Sequence, residues 1–285
     1  MTVSRYYEKD DTVYRIYESL DDLIGEADIR SPLREQYKGV FDTDFIGRNL
    51  YTWDAARDAA YKVWPEGDEI INGMLEELAD VDLPKPVSRK RRQRWSEESG
   101  DEIDFDRLRS GQPFWRESRR RHAHGSKFIT ICVDNATSCG VRADKILWRG
   151  AAAVVLTKLL EEAGYRVELW QVKHGSEVFH RGPKNLFHAC RLKAASDPLD
   201  LPTLTVALSG WFYRTTCFRS YIIDERRTDK SLGYPEPTTG EHLDEITNDE
   251  KRQLIENVWD RKAAVALVRK TIEAINAGEL ELLVS

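Results

Sequence analysis

KFITICVDNATSCGVRADKILWRGAAAVVLTKLLEEAGYRVELWQVK, residues 127–173, is the stretch from which the fold class follows. Its first nine residues are a short apolar run rich in β-branched side chains, ending in Asp134 and Asn135. Such a run, bounded by polar residues, predicts a strand buried on both faces. TSCGVRADK then reads as a loop entering a helix. Residues 143–163 carry little charge and place Ile146, Leu147, Ala151, Val154, Val155, Leu159 and Leu160 at helical spacing. Gly164 stands where a helix C-terminus wants a left-handed residue. YRVELWQVK supplies a second strand. A strand–helix–strand unit of this length predicts two parallel strands and therefore an α/β protein.

Outward from this unit the pattern is mixed. TVYRIY near the start alternates weakly, as a short strand does. Ser19 and Asp22 suit the opening of a short helix. Thr52 is a plausible N-cap for a helix over 52–63, with Trp53, Ala56, Ala60 and Val63 on one face. Trp64-Pro65-Glu66-Gly67 ends it, and 68–80 reads as a second helix. Residues 185–195 read as a helix. Residues 201–209 suit a helix or a strand, with Asp200-Leu-Pro favouring the helix. TTCFRSYIID, 215–224, reads as a third strand. Thr247 and Glu250 open a helical period that runs to about Ala277, with a break near Trp259-Asp260. The expected organisation is a mostly helical region 1–83, a basic and partly extended linker 84–126, and an α/β domain 127–285.

Composition narrows the class. The 285 residues include 43 Lys and Arg against 49 Asp and Glu, a net charge of −6. No window approaches the ~18 consecutive apolar residues of a spanning helix. Met1–Asp10 lacks an apolar stretch after a basic region, which argues against a secretory leader. Cys132, Cys139, Cys190 and Cys217 form no CxxC pair, so neither zinc-ribbon spacing nor a disulfide framework is expected. A cytoplasmic protein without a membrane partner is expected. Nucleophile-elbow, P-loop, HExxH and dinucleotide-loop motifs are absent, so an enzyme is not.

The order strand, Asp134-x-Ala136-x-Ser138, long helix, Ala-Gly-Tyr-Arg-Val-Glu, strand resembles von Willebrand factor A-like domains. That resemblance implies a Rossmann-like three-layer fold. It also implies a Mg2+ or Mn2+ site with Asp134 and Ser138 as metal ligands, completed by a threonine and an aspartate from later loops. Thr203 or Asp200, and Asp224, are the candidates for those positions. Hard cations want oxygen ligands, and Ala136 has none to give, so the motif is a degenerate one. A broader likeness covers roughly residues 40–225. Trp64 to Gly67, Ile103-Asp104, Gly111 to Pro113 and Arg149 to Ala152 together resemble an uncharacterised family of bacteriophage and bacterial proteins. Its members join a helical N-terminal part to a von Willebrand A-like C-terminal part.

Residues 85–126 hold 12 Lys and Arg and 7 Asp and Glu, a net of +5 inside an acidic chain. Arg89, Lys90, Arg91, Arg92 and Arg94 lie beside Trp95, and Arg119, Arg120 and Arg121 follow Trp115. Arginine with tryptophan suits phosphate pairing and base stacking, so these eight residues are candidate nucleic-acid contacts. Pairing with the neighbouring acids Glu97, Glu98, Asp101 and Glu102 is the bland alternative. His122-x-His124 has no third ligand at a familiar spacing.

Two functions are therefore expected. The first is a non-catalytic module, of phage or mobile-element context, that engages an unknown protein partner at the loop after Asp134. The alternative is a nucleic-acid-associated protein acting through 85–124.

Overall fold

The structure is a computed structural model that describes residues 5–29, 43–50, 52–83, 92–96, 102–119, 128–138, 140–176, 185–221, 234–247, 252–277 and 283–284. In chain order the elements are β1 (Arg5–Lys9), β2 (Thr12–Tyr17), α1 (Leu20–Ile29), α2 (Thr43–Ile46), α3 (Trp53–Ala60), α4 (Pro65–Glu77), β3 (Arg92–Ser96), β4 (Glu102–Ile103) and α5 (Phe105–Arg109). Then come β5 (Trp115–Arg119), β6 (Phe128–Asp134), α6 (Ala143–Glu162), β7 (Arg166–Ser176), β8 (Asn185–Lys193), α7 (Leu201–Ala207) and α8 (Gly210–Phe212). A π-helical turn (Tyr213–Cys217) leads into α9 (Phe218–Tyr221), and β9 (Tyr234–Pro235), α10 (Gly240–Asp244), β10 (Arg252–Ile255), α11 (Arg261–Ala277) and β11 (Leu283–Val284) complete the chain.

The chain falls into two compact units, 1–84 with 128–285, and 85–127. The larger unit is an α/β fold on a mixed sheet of order β1-β2-β8-β7-β6-β10-β11, with β9 beside the end of β7. β6 is central. It pairs in parallel with β7 and β10, while β8 runs antiparallel to β7. The expected strand–helix–strand unit is present with its parallel pairing. Gly164 sits at φ +82°, and Tyr165 N–H reaches back to Leu160 C=O at 3.0 Å, closing the helix in the left-handed turn that glycine tolerates.

Side-chain alternation splits the core. Ile129, Ile131 and Val133 of β6 pack with α4, α6, α7 and α11 on one face. Farther along that side, Tyr17 and Cys190 join α1, α3 and the aromatics Trp211, Phe212 and Tyr213. Cys132, Trp170, Val172, Phe187, Tyr14 and Leu254 face the other way, against Leu243 and Ile246 of the α10 segment. α6 can carry so many apolar residues because it is covered nearly all round. Gly150 lets the chain at Leu208 come close: a Cβ there would lie 2.1 Å from the Leu208 carbonyl oxygen.

Several local expectations hold. Ser19 Oγ accepts from Asp22 N–H, Thr52 accepts from Ala55 N–H, and Asp200 caps α7 through Thr203 N–H. Others are overturned by tertiary pairing. Residues 185–193 form strand β8 rather than a helix, because β7 and β2 satisfy its backbone on both sides. Of the strand expected over 215–224, residues 215–221 are helical and 222–224 lie outside the described residues. Thr215 returns its hydroxyl to Trp211 C=O at 2.8 Å, so its β-branched side chain is accommodated within a helix. The helical period expected from 247 to 277 gives way over Arg252–Ile255 to β10, which pairs with β6, and its expected break near Trp259-Asp260 lies just before α11. The helix proper starts after Asp260, whose carboxylate accepts Ala263 N–H at 2.8 Å. Pro65 opens α4 at its first turn, three residues earlier than expected. The N-terminal region is not only helical, since β1 and β2 extend the main sheet. The basic segment likewise holds a three-stranded sheet of order β3-β5-β4 within the smaller unit.

Candidate site at the carboxyl end of the central strand

β6 ends on Asp134, which is 4% exposed. The strand ladder continues one step further, Asn135 N–H donating to Val172 C=O at 3.0 Å. The chain then turns because Asp134 bends back on itself: its Oδ1 accepts Ala136 N–H at 2.7 Å. Its Oδ2 accepts the Thr238 hydroxyl at 2.8 Å, from the segment that enters α10. Both carboxylate oxygens thus have a protein partner.

Arg149, two turns into α6, is the positive charge of this site. Its Nη1 donates to Asp134 C=O at 2.8 Å and to Ala136 C=O at 3.1 Å, and its guanidinium lies 4.0 Å over the Trp259 ring. Burial pushes the Asp134 carboxyl up to about 6, against the pull of the Ala136 N–H, the Thr238 hydroxyl and Arg149; Glu256 adds to the rise. Glu256 follows β10 directly, and burial raises its carboxyl while Arg149 lowers it. Burial draws the Arg149 pKa down; Asp134, Tyr213 and Glu256 oppose that. The result is one buried guanidinium within electrostatic reach of two carboxylates, at the ends of adjacent parallel strands. Such strand ends are where open α/β sheets present ligand-binding loops.

Ser138 is exposed, and its Oγ accepts Gly140 N–H at 3.4 Å. A second buried arginine, Arg214 of the π-helical turn, donates to Val141 C=O and to Phe45 C=O and stacks over the Phe45 ring at 4.0 Å. The loop is therefore held from beneath at 134–136 by Arg149 and at 141 by Arg214, with Ser138 and Gly140 between them at the surface.

The donor set does not fit the expected Mg2+ or Mn2+ ion. Ala136 offers no side-chain oxygen and its carbonyl is taken by Arg149, the Asp134 oxygens both accept hydrogen bonds, and Arg149 already supplies a cation there. Among the described residues no group of three His, Cys, Asp or Glu is placed to hold a metal. Asp200 and Thr203 bond to each other at the start of α7. Asp224 lies outside the described residues. The threonine and acid that do approach Asp134 are Thr238 and Glu256, neither of which sequence reasoning selected. Arg149 entered the sequence reading only as the first residue of the Arg149 to Ala152 likeness.

A family model described as a domain of unknown function (DUF7192) matches residues 5–279. The chain belongs to the DUF7192 family. No curated protein and no solved structure matches it.

Among the described residues of this DUF7192 chain, no helix is long and apolar enough to cross a membrane. Cys132, Cys190 and Cys217 are buried and form no disulfide, and burial pushes the Cys132 thiol up to about 12 and the Cys190 thiol well above its ordinary value. Cys139, His122 and His124 lie outside the described residues, as do Arg89, Lys90, Arg91, Arg120 and Arg121. Arg92 and Arg94 fall on β3 and Arg119 on β5. Two constellations escaped the sequence reading. Arg15, His188 and Lys173 are register partners across β2, β8 and β7, a buried basic row. The His174 and His242 rings lie 4.0 Å apart with their planes tilted by 41°, His242 stacks on Phe187, and His174 Nδ1 bonds Pro237 C=O at 2.9 Å.

Proposed function

We propose that this protein is a non-catalytic protein-interaction module of von Willebrand A type, and that its partner docks on the loop following β6. The strand order β8-β7-β6-β10-β11, with β8 alone antiparallel among these five, supports the type. The observation that carries the reading is the loop itself. Its backbone is fixed by two buried arginines while Ser138 and Gly140 stand at the surface. A pre-set loop binds at lower entropic cost than one that must be ordered on contact. In this reading the guanidinium of Arg149 stands in the place of a divalent ion, so docking needs no metal. The cytoplasmic location and the phage or mobile-element context belong to the reading through the resemblance alone.

The test is an affinity capture of the tagged protein from its native host, with and without nuclease and with and without a chelator. One protein partner should persist in all four conditions and be lost from Ser138→Trp, a surface change that leaves Asp134 and Arg149 in place. A partner lost on chelation would return the metal to the site. A partner retained by Ser138→Trp would remove the loop from the interface.

A further inference from the structure

The smaller unit carries a surface that the proposed docking loop does not use. In the β3–β5 pair Arg92 stands opposite Arg119, Arg94 opposite Glu117, Trp95 opposite Arg116 and Ser96 opposite Trp115. Register partners share a face, and successive residues alternate. One face of the sheet therefore collects the positions of Arg92, Arg94, Arg119, Glu117 and Trp115, together with Ile103 of β4, which pairs with Trp115. The opposite face holds the position of Trp95, over whose ring the Arg107 guanidinium of α5 lies at 4.3 Å while also donating to Pro113 C=O at 2.9 Å.

The first face thus combines three arginine positions, one opposing carboxylate and a tryptophan. Like charges directly opposite one another weaken an antiparallel pair, so Arg92 facing Arg119 is a poor choice for stability alone. It suits a surface whose positive charge is neutralised by a bound anion. The antiparallel register also explains how two basic runs far apart in sequence come to reinforce each other. Trp115 lies on the same face, with Phe114 beside it at 6.0 Å between ring centres.

We infer that this face binds single-stranded nucleic acid, the arginines taking phosphates and Trp115 stacking on a base. An acidic peptide would use the arginines but not the aromatic platform, and a duplex keeps its bases stacked away from Trp115. The acidic remainder of the chain confines the attraction to this unit rather than spreading it over the surface.

The test uses the full chain and a fluorescent 20-nucleotide oligo-dT, read by anisotropy over a range of salt. Each phosphate contact contributes about 0.7 to the slope of log affinity against log salt on single strands. Arg92→Gln/Arg94→Gln/Arg119→Gln should lower that slope by about 2, while the matching Lys triple variant retains most of it. Trp115→Leu should weaken binding roughly tenfold at an unchanged slope, as loss of one stacked base does. Circular dichroism of each variant separates these effects from unfolding. Absent binding by the folded wild-type chain would overturn the inference. So would equal binding of a duplex of the same length, or equal competition by polyglutamate.

Discussion

The hydroxyl of Thr238 donates to Asp134 Oδ2 across 2.8 Å, tying the segment before α10 to the end of the central strand 104 positions away. Its neighbours are held in the same manner. Pro237 C=O meets His174 Nδ1, and Thr239 N–H donates to His242 Nδ1 at 3.1 Å. Three consecutive residues are each fastened by a titratable side chain, so acidity acts on this segment in more than one way.

Asp134 makes stability fall as pH rises. Its folded pKa is pushed up to about 6 by burial, and the unfolded chain titrates near 3.9. Between those values the folded state binds the extra proton, so the cost is absent below about pH 4 and complete above about pH 6. Its size is of order 3 kcal/mol. Asp134→Asn removes it. Urea denaturation should show the stability of Asp134→Asn, relative to wild type, rising between pH 4.5 and 7 (~2 kcal/mol). A constant difference would exclude a raised carboxyl.

His242 works in the opposite direction over nearly the same window. Burial and then the neighbouring His174 lower its pKa to about 4, so the unfolded chain takes up its proton first as pH falls. Stability from this group is full above about pH 6.5 and lost progressively towards pH 4. His242→Gln keeps an acceptor for Thr239 N–H and removes the titration. Its loss of stability on acidification should therefore be shallower than that of wild type, measured by the same denaturation series.

Gly150→Ala tests the contact between α6 and Leu208. The added methyl would meet a backbone carbonyl at 2.1 Å, and backbone cannot rotate away as a side-chain tip can. A loss of about 3 kcal/mol is expected, seen as a lowered denaturation midpoint. An unchanged midpoint would mean that α6 does not pack this closely.

Arg149→Met removes the donor to two carbonyls and leaves two carboxylates without their cation. A loss of about 3 kcal/mol is expected. The Asp134 carboxyl should also titrate at higher pH than in wild type, followed by carbon-13 NMR of the side chain. If the carboxyl titrates as before, Arg149 does not govern the charge of this site.

Local chemistry was enough to place β6, α6 and β7 in the sequence, since a β-branched apolar run, an uninterrupted helical stripe and Gly164 each admit few alternatives. The same local rules placed the Thr52 cap and the opening of a helix near Asp200-Leu-Pro. They failed where a neighbour overrode them. NLFHACRLK is acceptable to a helix, and only backbone partners on both sides make β8 a strand. The β-branched and aromatic residues of 215–221 suit extension, yet the segment is helical, with Thr215 returning its hydroxyl to Trp211 C=O one turn back. β10 is four residues inside a helical period and exists because β6 needs a parallel neighbour.

The site divides along the same line. Sequence alone determined that Asp134 closes a buried strand ahead of a helix. It also determined that positive charge concentrates in 85–126. Only the tertiary structure decided that Thr238 and Glu256 approach Asp134, that Arg149 supplies the cation, and that Arg92 faces Arg119. Each is a contact between residues distant in the chain, and such contacts depend on strand order and register. A local pattern cannot encode either, because both are settled by which surfaces are buried together.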